Sequence, residues 1–528
     1  MKTRPRAHQW SALTLLIAVS LFFVWPIWAA SPAESIRAKL AGWEIEQAGE
    51  EVWRLLEREP LNPELLELAA YIDFYRGDYA QALSKTREAL ARGGKGEQLQ
   101  NFQLFVQRSY DIIRQYSTFS SSHFELRLAE KQDGILAGYL LDALERTYQR
   151  MGTQFNTFPQ ERIRVEVMPD SQSFYYISGL SRRDIEVSGA VGLAEYNKIM
   201  LLSPRALVYG YRYLDAVSHE YLHYLIVKLS GNKAPIWFHE GLAKFEEAKW
   251  RNPSSLYLNP LNQTLLARAL RLGEFVGFDR MEPGLVKLKT PEQVQLAYAE
   301  AASALEFIVD RVGYPGLRDI MAAMAVSDQA GAGRAIREVM GLTMAEFQAD
   351  WKEFLALKGL REIAGVAVHN YKVRQSRRDE QILDLKQIKS IMARNWVTLG
   401  DMLRAKRRLN AALIEYRKAL RESPASVPIL NKLSVALSLL GKDEEAVKNL
   451  KQAEKIAPDH PTVHANLGYA YLRLKKYRQA QAALQQSVSI NPFDPRVHQG
   501  LARAYQALGR GEKAEKEMEI ARKLLSNS

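Results

Sequence analysis

The chain has 528 residues, of which 47% are hydrophobic and 25% charged, a mix typical of folded globular domains that excludes a largely disordered protein. Cysteine is absent, which excludes disulfides, thiol catalysis and cysteine-based zinc sites, so any metal ion must be held by His, Asp or Glu. The formal net charge of +12 resides in the C-terminal third, because residues 361–528 carry 31 basic and 17 acidic side chains.

Residues 1–30 have the pattern of an export signal. Three basic residues precede an apolar run, WSALTLLIAVSLFFVWPIWAA, from Trp10 to Ala30. Cleavage at the end of this run would place a large residue where signal peptides prefer a small one, and the run is long enough to span a bilayer. The segment is therefore either a cleaved signal peptide or an uncleaved inner-membrane anchor. Either predicts an exported, periplasmic chain, for which nucleic acid is not a natural partner.

Residues 31–118 read as helical and contain a weak internal repeat. Ala82 follows Ala48 at a period of 34, and YRGDYAQALSKTREAL (75–90) carries a Gly-x-Tyr-x-x-Ala run. This period is typical of stacked helical hairpins, and the run resembles a tetratricopeptide repeat. We expect one clear and one degenerate repeat in residues 31–96.

Residues 119–360 lack this period and read as strands followed by helices. HFELRLA and RIRVEVMP alternate like strands on either side of a helical pattern. VSGAVGLAEYNKIMLLSP predicts a strand or a hairpin with glycine bends, and helical patterns dominate from Tyr213 onward. This order predicts an α+β domain with a small sheet.

The sequence HEYLH lies in one of these helical patterns and has the spacing of a metal site. His219 and His223 are four residues apart, so both imidazoles project from one helix face and can bind one zinc ion. Glu220 is rotated by about 100° around the axis and can reach a water molecule at the metal as a base. After a break at SGN, a second helix returns Glu240 to the first as a third ligand. His239 is the rival for that position, and an ordinary amphipathic helix is the alternative to the whole site.

The stretch HEYLHYLIVKLSGNKAPIWFHEGLAKFEE resembles the gluzincin metallopeptidases, and the resemblance extends over about 119–360. It implies a zincin-like α+β fold in which Zn2+ is held by His219, His223 and Glu240. It further implies that Glu220 is the base and proton shuttle of peptide-bond hydrolysis.

Further features of the site follow from the same resemblance. It implies an edge strand that pairs with an extended peptide, and GAVGLAEY (189–196) is the candidate, with a plain glycine-rich hairpin as the alternative. Tyr298 is the candidate to stabilise the oxyanion, with an ordinary packed tyrosine as the alternative. Lys244 stands four residues after Glu240, where some members place an acid that orients a histidine. The candidates for that supporting role are Asp215, Glu246 and Glu247.

The C-terminal third repeats with the same period of 34. The repeated positions are Ala412, Ala446, Ala480 and Ala514; Ala419, Ala453, Ser487 and Ala521; and Pro424, Pro458 and Pro492. Small residues where helices cross and proline at each exit are what stacked helical hairpins require. The pattern resembles four tetratricopeptide repeats over 393–528, an all-α solenoid, joined to the preceding domain by a helical linker at 361–392.

Together these features favour an exported zinc metallopeptidase whose repeats recruit a protein partner or substrate. Deletion of 393–528 is then expected to spare the cleavage of short peptides. The basic surface of the repeats is either an ordinary solvated surface or a site for anionic lipid, an acidic protein or a cell-wall polymer. The alternative function is a non-catalytic periplasmic scaffold with a latent peptidase-like domain.

Overall fold

The structure is a computed structural model that describes residues 32–195, 197–254, 257–282, 284–327, 331–368, 371–376 and 378–526. The predicted signal peptide or anchor, 1–30, lies outside the described residues. Within the described part of the chain, no helix is both long enough and apolar enough to cross a membrane. The chain divides into two compact units, one holding 32–112 with Tyr175–Gly179 and the other holding the rest.

The first unit is made of helices packed in succession. These are α1 (Pro32–Ala41), α2 (Ile45–Arg58), α3 (Pro63–Tyr75), α4 (Tyr79–Ala91) and α5 (Glu97–Ile113). The Asn62 side chain caps α3, because it accepts hydrogen bonds from the backbone N–H groups of Glu64 and Leu65. Ala48 and Ala82, the pair that keeps the repeat period in this unit, are fully buried at helix contacts.

The second unit contains a five-stranded sheet in the order β1-β2-β3-β5-β4. The strands are β1 (Ser117–Ser120), β2 (Phe124–Leu128), β3 (Ile163–Met168), β4 (Gly192–Glu195) and β5 (Lys198–Leu202). The three central strands are parallel, and each edge strand is antiparallel to its neighbour. The predicted strands are present as β2 and β3, the glycine-rich segment is the β4–β5 hairpin, and β1 is a strand that the sequence patterns did not predict.

The helices between and after these strands include the one that carries the metal motif. They are α6 (Glu130–Asp133), α7 (Leu136–Phe155), α8 (Ser171–Ser178), α9 (Arg182–Ser188), α10 (Tyr213–Ser230), α11 (Ile236–Glu246), α12 (Pro260–Leu272), α13 (Pro291–Val326), α14 (Gly333–Met340) and α15 (Met344–Leu357). The motif helix α10 contacts α7, β4 and β5 as well as α11 and α13. It is therefore held between the sheet and the helical layer.

The C-terminal part is a run of helical hairpins. After α16 (Asp379–Gln387) come α17 (Ile391–Ala405), α18 (Leu409–Glu422), α19 (Val427–Leu439), α20 (Asp443–Ile456), α21 (Pro461–Arg473), α22 (Tyr477–Ile490), α23 (Pro495–Ala507) and α24 (Gly511–Ser526). Small residues allow the helices to cross closely, because a Cβ at Gly400 would lie 2.6 Å from Tyr416 and one at Gly468 2.4 Å from Leu484. The repeat array is thus built at the positions that the sequence period predicts.

The repeat array belongs to the same compact unit as the sheet. The backbone N–H of Tyr211 donates to the carbonyl of Ile490 at 3.0 Å. Arg212, the residue before α10, forms an ion pair with Asp459 and donates to the Gln486 side chain at 2.9 Å. The array therefore contacts the start of the helix that carries the metal motif.

Candidate metal centre

Local sequence explains how the two motif helices face each other. Helix α10 buries Val217, Tyr221 and Leu225 against the fold, and it ends at Gly231, whose φ of 59° lies in the left-handed region that favours glycine. Pro235 then precedes the first residue of α11, where its fixed φ suits a helix start. The short reversal returns the second helix alongside the first, as the sequence predicts.

Three side chains from these helices converge on one point. The Nε2 atoms of His219 and His223 are 3.1 Å apart. Oε2 of Glu240 lies 3.4 Å from the first nitrogen and 3.6 Å from the second. These atoms form the one group of three or more His, Cys, Asp or Glu ligand atoms with metal-site spacing in the described part of the chain.

The spacing and environment of these atoms fit a zinc ion. With bonds of about 2.0–2.1 Å and tetrahedral angles, neighbouring zinc ligands are about 3.3–3.4 Å apart. Glu240 Oε2 is buried and makes no hydrogen bond, so a buried carboxylate oxygen is left for a cation to satisfy. Two imidazoles and a carboxylate are also a donor set that zinc prefers in catalytic sites.

Electrostatics within the group favour a positive charge at the same point. Burial alone would lower the pKa of His219, but the carboxylates of Glu240 and Glu247 raise it to about 10. Burial opposes ionisation of Glu240, yet the charges of His223 and His219 hold its pKa far below the ordinary value. Without a metal the group therefore retains a proton, and a metal ion would replace that positive charge.

Glu247 supports the first histidine from behind. Its Oε2 lies 3.1 Å from His219 Nδ1, and its Oε1 accepts a hydrogen bond from Lys244 at 2.6 Å. A carboxylate on the far nitrogen fixes the orientation of a ligand imidazole. Among the three sequence candidates, Glu247 is thus the one that contacts a ligand histidine.

The other two candidates for this support have structural partners instead. Asp215 accepts hydrogen bonds from the Trp250 indole N–H and from Nε and Nη2 of Arg251. Glu246 is fully buried and accepts from Lys249 and Tyr314. Both carboxylates therefore have hydrogen-bond partners other than the candidate ligand histidines.

His239 lies beside the site but outside the converging group. Its ring centroid is 5.6 Å from that of His223. Burial, with a smaller electrostatic effect of the neighbouring His223, lowers the pKa of His239 to about 3, so the His239 imidazole is neutral. The placement of Glu240 within the group, and of His239 outside it, favours Glu240 as the third ligand.

Glu220 is buried and faces the edge strand β4. Burial raises its pKa above the ordinary value, against the opposing effect of His223 and His219. The backbone of Ala194 hydrogen-bonds its carboxylate. A Cβ at Gly192 would lie 2.5 Å from Glu220 Oε1, so glycine is what lets the strand approach this carboxylate so closely.

The hairpin places an open strand edge next to Glu220. Val191 accepts a hydrogen bond from Leu202 on β5. Because antiparallel ladders alternate, Val191 and Leu193 face β5, whereas the backbone groups of Gly192 and Ala194 face away from it. The candidate segment 189–196 thus supplies an edge strand and a hairpin at once.

Tyr298, on α13, also borders the site. Its ring centroid is 6.4 Å from that of His219. Burial, together with the charges of Glu240 and Glu220, raises its pKa well above the ordinary value, so the phenol keeps its proton. A protonated phenol in this position can donate to substrate, although a packing role fits the same contact.

Comparisons with known proteins bear on the repeats. Tetratricopeptide-repeat family models match residues 393–426, 440–499 and 471–524. No curated protein matches the chain. A crystal structure of MamA is 17% identical and covers 29% of this chain and 97% of its own, with a TM-score of 0.25. The MamA RS-1 ArsTM double mutant is 24% identical over 26% of this chain and 76% of its own, with a TM-score of 0.25.

A third solved structure is the first repeat domain of Spaghetti (RPAP3) bound to the HSP90 peptide SRMEEVD. It is 18% identical and covers 23% of this chain and 98% of its own, with a TM-score of 0.23. At these TM-scores the structural likenesses carry no weight for function. The family matches establish that the C-terminal third of this chain contains tetratricopeptide repeats.

Proposed function

We propose that this chain is a zinc-dependent metallopeptidase with a gluzincin-type site. The observation that carries the proposal is the convergence of His219, His223 and Glu240, with ligand atoms 3.1–3.6 Å apart, beside a buried Glu220. The side chains of His219, His223 and Glu240 are 12%, 15% and 20% exposed, so the group is mostly enclosed but keeps some contact with solvent. Three protein ligands with an open side are typical of catalytic zinc sites, whereas structural sites are closed.

Zinc held by the two histidines and Glu240 would supply Lewis acidity to a water molecule and to a peptide carbonyl group. The carboxylate of Glu220 accepts a proton from the attacking water and then delivers it to the leaving amine. The raised pKa of Glu220 suits this exchange, since an acid with a higher pKa takes up a proton more readily near neutral pH. Glu247 holds His219 in place throughout.

The substrate of this reaction would be an extended peptide or an unfolded segment of a protein. The outward backbone groups of Gly192 and the outward carbonyl of Ala194 offer a strand edge to which a peptide can add, while the Ala194 N–H is engaged by Glu220. A peptide paired with this edge passes over Glu220, because that carboxylate contacts both Gly192 and Ala194. Tyr298 is our candidate to donate to the carbonyl oxygen as it gains charge.

Export to the periplasm follows as part of the same proposal from the pattern of residues 1–30. The repeats are expected to bind a protein partner, because such arrays present stacked helices as interaction surfaces.

A second function, a protein-interaction scaffold without catalysis, is favoured by the repeat matches alone. It assigns no role to the buried carboxylate oxygen of Glu240 that lies within 3.6 Å of two imidazole nitrogens.

One set of measurements on the purified full chain separates the two functions. We expect one zinc ion per chain by elemental mass spectrometry, and hydrolysis of a mixed peptide library that stops with a chelator and returns with zinc. Glu220→Gln should keep zinc and lose hydrolysis, whereas His223→Ala should lose both. A Glu246→Gln variant is the matched control, because this acid is on α11 but does not touch the ligands. Bound zinc without any hydrolysis would leave the scaffold function in place of the peptidase.

A further inference from the structure

The space along the open edge of β4 beside Glu220 is here called the cleft. A segment far from the zinc motif in the chain comes close to the residues at the start of this edge. Residues 371–376, here called the strap, follow the sheet-containing part and precede the repeats. The backbone N–H of Val208 donates a hydrogen bond to the Lys372 carbonyl at 2.9 Å, and the backbone N–H of Arg374 donates one to the Ala206 carbonyl at 2.7 Å. The Lys372 ammonium donates to Glu186 on α9 at 2.9 Å. The strap is thus fixed on two sides.

These contacts place the ring of Tyr371 at the entry to the β4 strand. A Cβ at Gly189 would lie 3.0 Å from this ring, and the centroid of the Tyr211 ring is 6.2 Å away. Tyr371 is half-buried, and its hydroxyl has no hydrogen-bond partner among the described residues. A phenol held on one face with its hydroxyl unused is available to a ligand.

The charges around this phenol satisfy one another. Lys244 is paired with Glu247, and Arg212 with Asp459, and all four act on Tyr371 electrostatically. Paired charges attract neither an acidic nor a basic side chain strongly. The Tyr371 ring and hydroxyl are therefore the groups that a substrate would meet at this end of the cleft.

The direction of β4 tells which part of a peptide would meet them. The strand runs from Gly192 to Glu195, and Gly189 precedes it. A peptide that pairs antiparallel with β4 passes Glu220 and then runs toward Gly189. Its residues on the C-terminal side of the cleaved bond therefore approach Tyr371.

We propose that Tyr371 is a specificity-determining residue that narrows the cleft on the C-terminal side of the cleaved bond and selects peptides with small side chains there. This inference rests on the proposed peptidase function. The ring fills the space over Gly189, where the lack of a side chain would otherwise leave room. Removing it opens the cleft to larger side chains such as Leu and Phe.

The experiment compares full-chain Tyr371→Ala and Tyr371→Phe with the parent on peptides that differ only in the two residues after the cleaved bond. Tyr371→Ala should raise kcat/KM for Leu and Phe relative to Ala at one of these positions by about tenfold or more. Tyr371→Phe keeps the ring and should keep the preference. Tyr477→Ala, which removes a half-buried tyrosine of the repeats, is the control. Tyr371→Leu serves in the same assay if the alanine variant does not fold.

A second readout needs no hydrolysis. It is the equilibrium binding of the same peptides, measured by fluorescence anisotropy. The zinc-loaded Glu220→Gln chain is compared with the same chain carrying Tyr371→Ala. An unchanged order of preference, within twofold, in a folded variant with parent zinc content overturns the role of Tyr371. If the parent chain hydrolyses nothing but Tyr371→Ala still alters the binding order, the peptidase function fails and the binding role stands.

Discussion

Glu247 offers a sharp test of whether the converging side chains form a metal site. Its Oε2 lies 3.1 Å from His219 Nδ1, and it is the carboxylate that contacts the far side of a ligand imidazole. Loss of such a supporting carboxylate weakens metal binding by about 10–100-fold. That is about 1.4–2.7 kcal/mol of binding free energy. Glu247→Ala should show a loss of this size, and Glu247→Gln, which can still accept from His219, should recover part of it.

The measurement is a zinc titration against a chromophoric chelator of known affinity at fixed pH and salt. Glu246→Gln is the control, since this neighbouring acid binds Lys249 and Tyr314 instead of a ligand. The control should lower thermal stability and leave zinc affinity within twofold of the parent. An unchanged affinity in Glu247→Ala would refute the supporting role. A loss as complete as that of His219→Ala would mean that Glu247 is itself a ligand.

Three further predictions test the other parts of the site. Gly192→Ala should reduce peptide hydrolysis at least tenfold with zinc retained, because the new Cβ would lie 2.5 Å from Glu220 Oε1. Gly138→Ala is the control and should not reduce hydrolysis, because its new Cβ would have its nearest neighbour at 3.9 Å. Glu240→Ala should lose zinc by elemental mass spectrometry and His239→Ala should retain it; the reverse result would move the third ligand by one residue. Tyr298→Phe should lower kcat by about 10–100-fold with zinc unchanged if its phenol donates to the oxyanion, and an unchanged kcat would make it a packing residue.

The parts of the site that the sequence predicted are those set by helix geometry. The spacing of His219 and His223 places both on one face of α10, and a glycine stop followed by proline returns Glu240 to them. These relations are local and do not depend on the tertiary contacts around the two helices. The repeats were predictable for a similar reason, because their regular period fixes both the helices and the small residues where they cross.

The remaining contacts depend on tertiary arrangement that periodicity does not encode. Glu247 stands seven residues after Glu240, not four residues after it as in the family pattern. The sequence could therefore not distinguish Glu247 from Asp215 and Glu246 as the acid that supports His219, because that contact depends on how α11 packs against α10. The approach of Gly192 to Glu220 depends on strand register. Tyr371 comes from a segment far beyond the metal motif in the chain. The sequence predicted this segment only as part of a helical linker at 361–392, and in the structure the helix in that linker is Asp379–Gln387.

The position of the repeats changes what their removal should do. The sequence favours a separable recruiting arm, so that a chain lacking 393–528 would still cleave short peptides. In the structure, the buried Tyr211 N–H bonds to the Ile490 carbonyl, and a Cβ at Gly210 would lie 2.4 Å from the same oxygen. Without α22 this buried donor loses its partner, at a cost of about 1–3 kcal/mol.

The truncated chain also loses packing at two other places. Tyr139 on α7 donates to Glu517 and packs against the buried cluster around Leu484. Arg212 loses Asp459 and Gln486 immediately before α10 begins. We therefore expect the chain lacking 393–528, which ends at residue 392, to bind zinc at least tenfold more weakly, or to unfold at a lower temperature, and to lose short-peptide cleavage to the same extent. Zinc titration, thermal unfolding and the peptide assay measure these effects side by side. A truncated chain with the zinc affinity, unfolding temperature and rate of the full chain would show that the repeats are a separable arm after all.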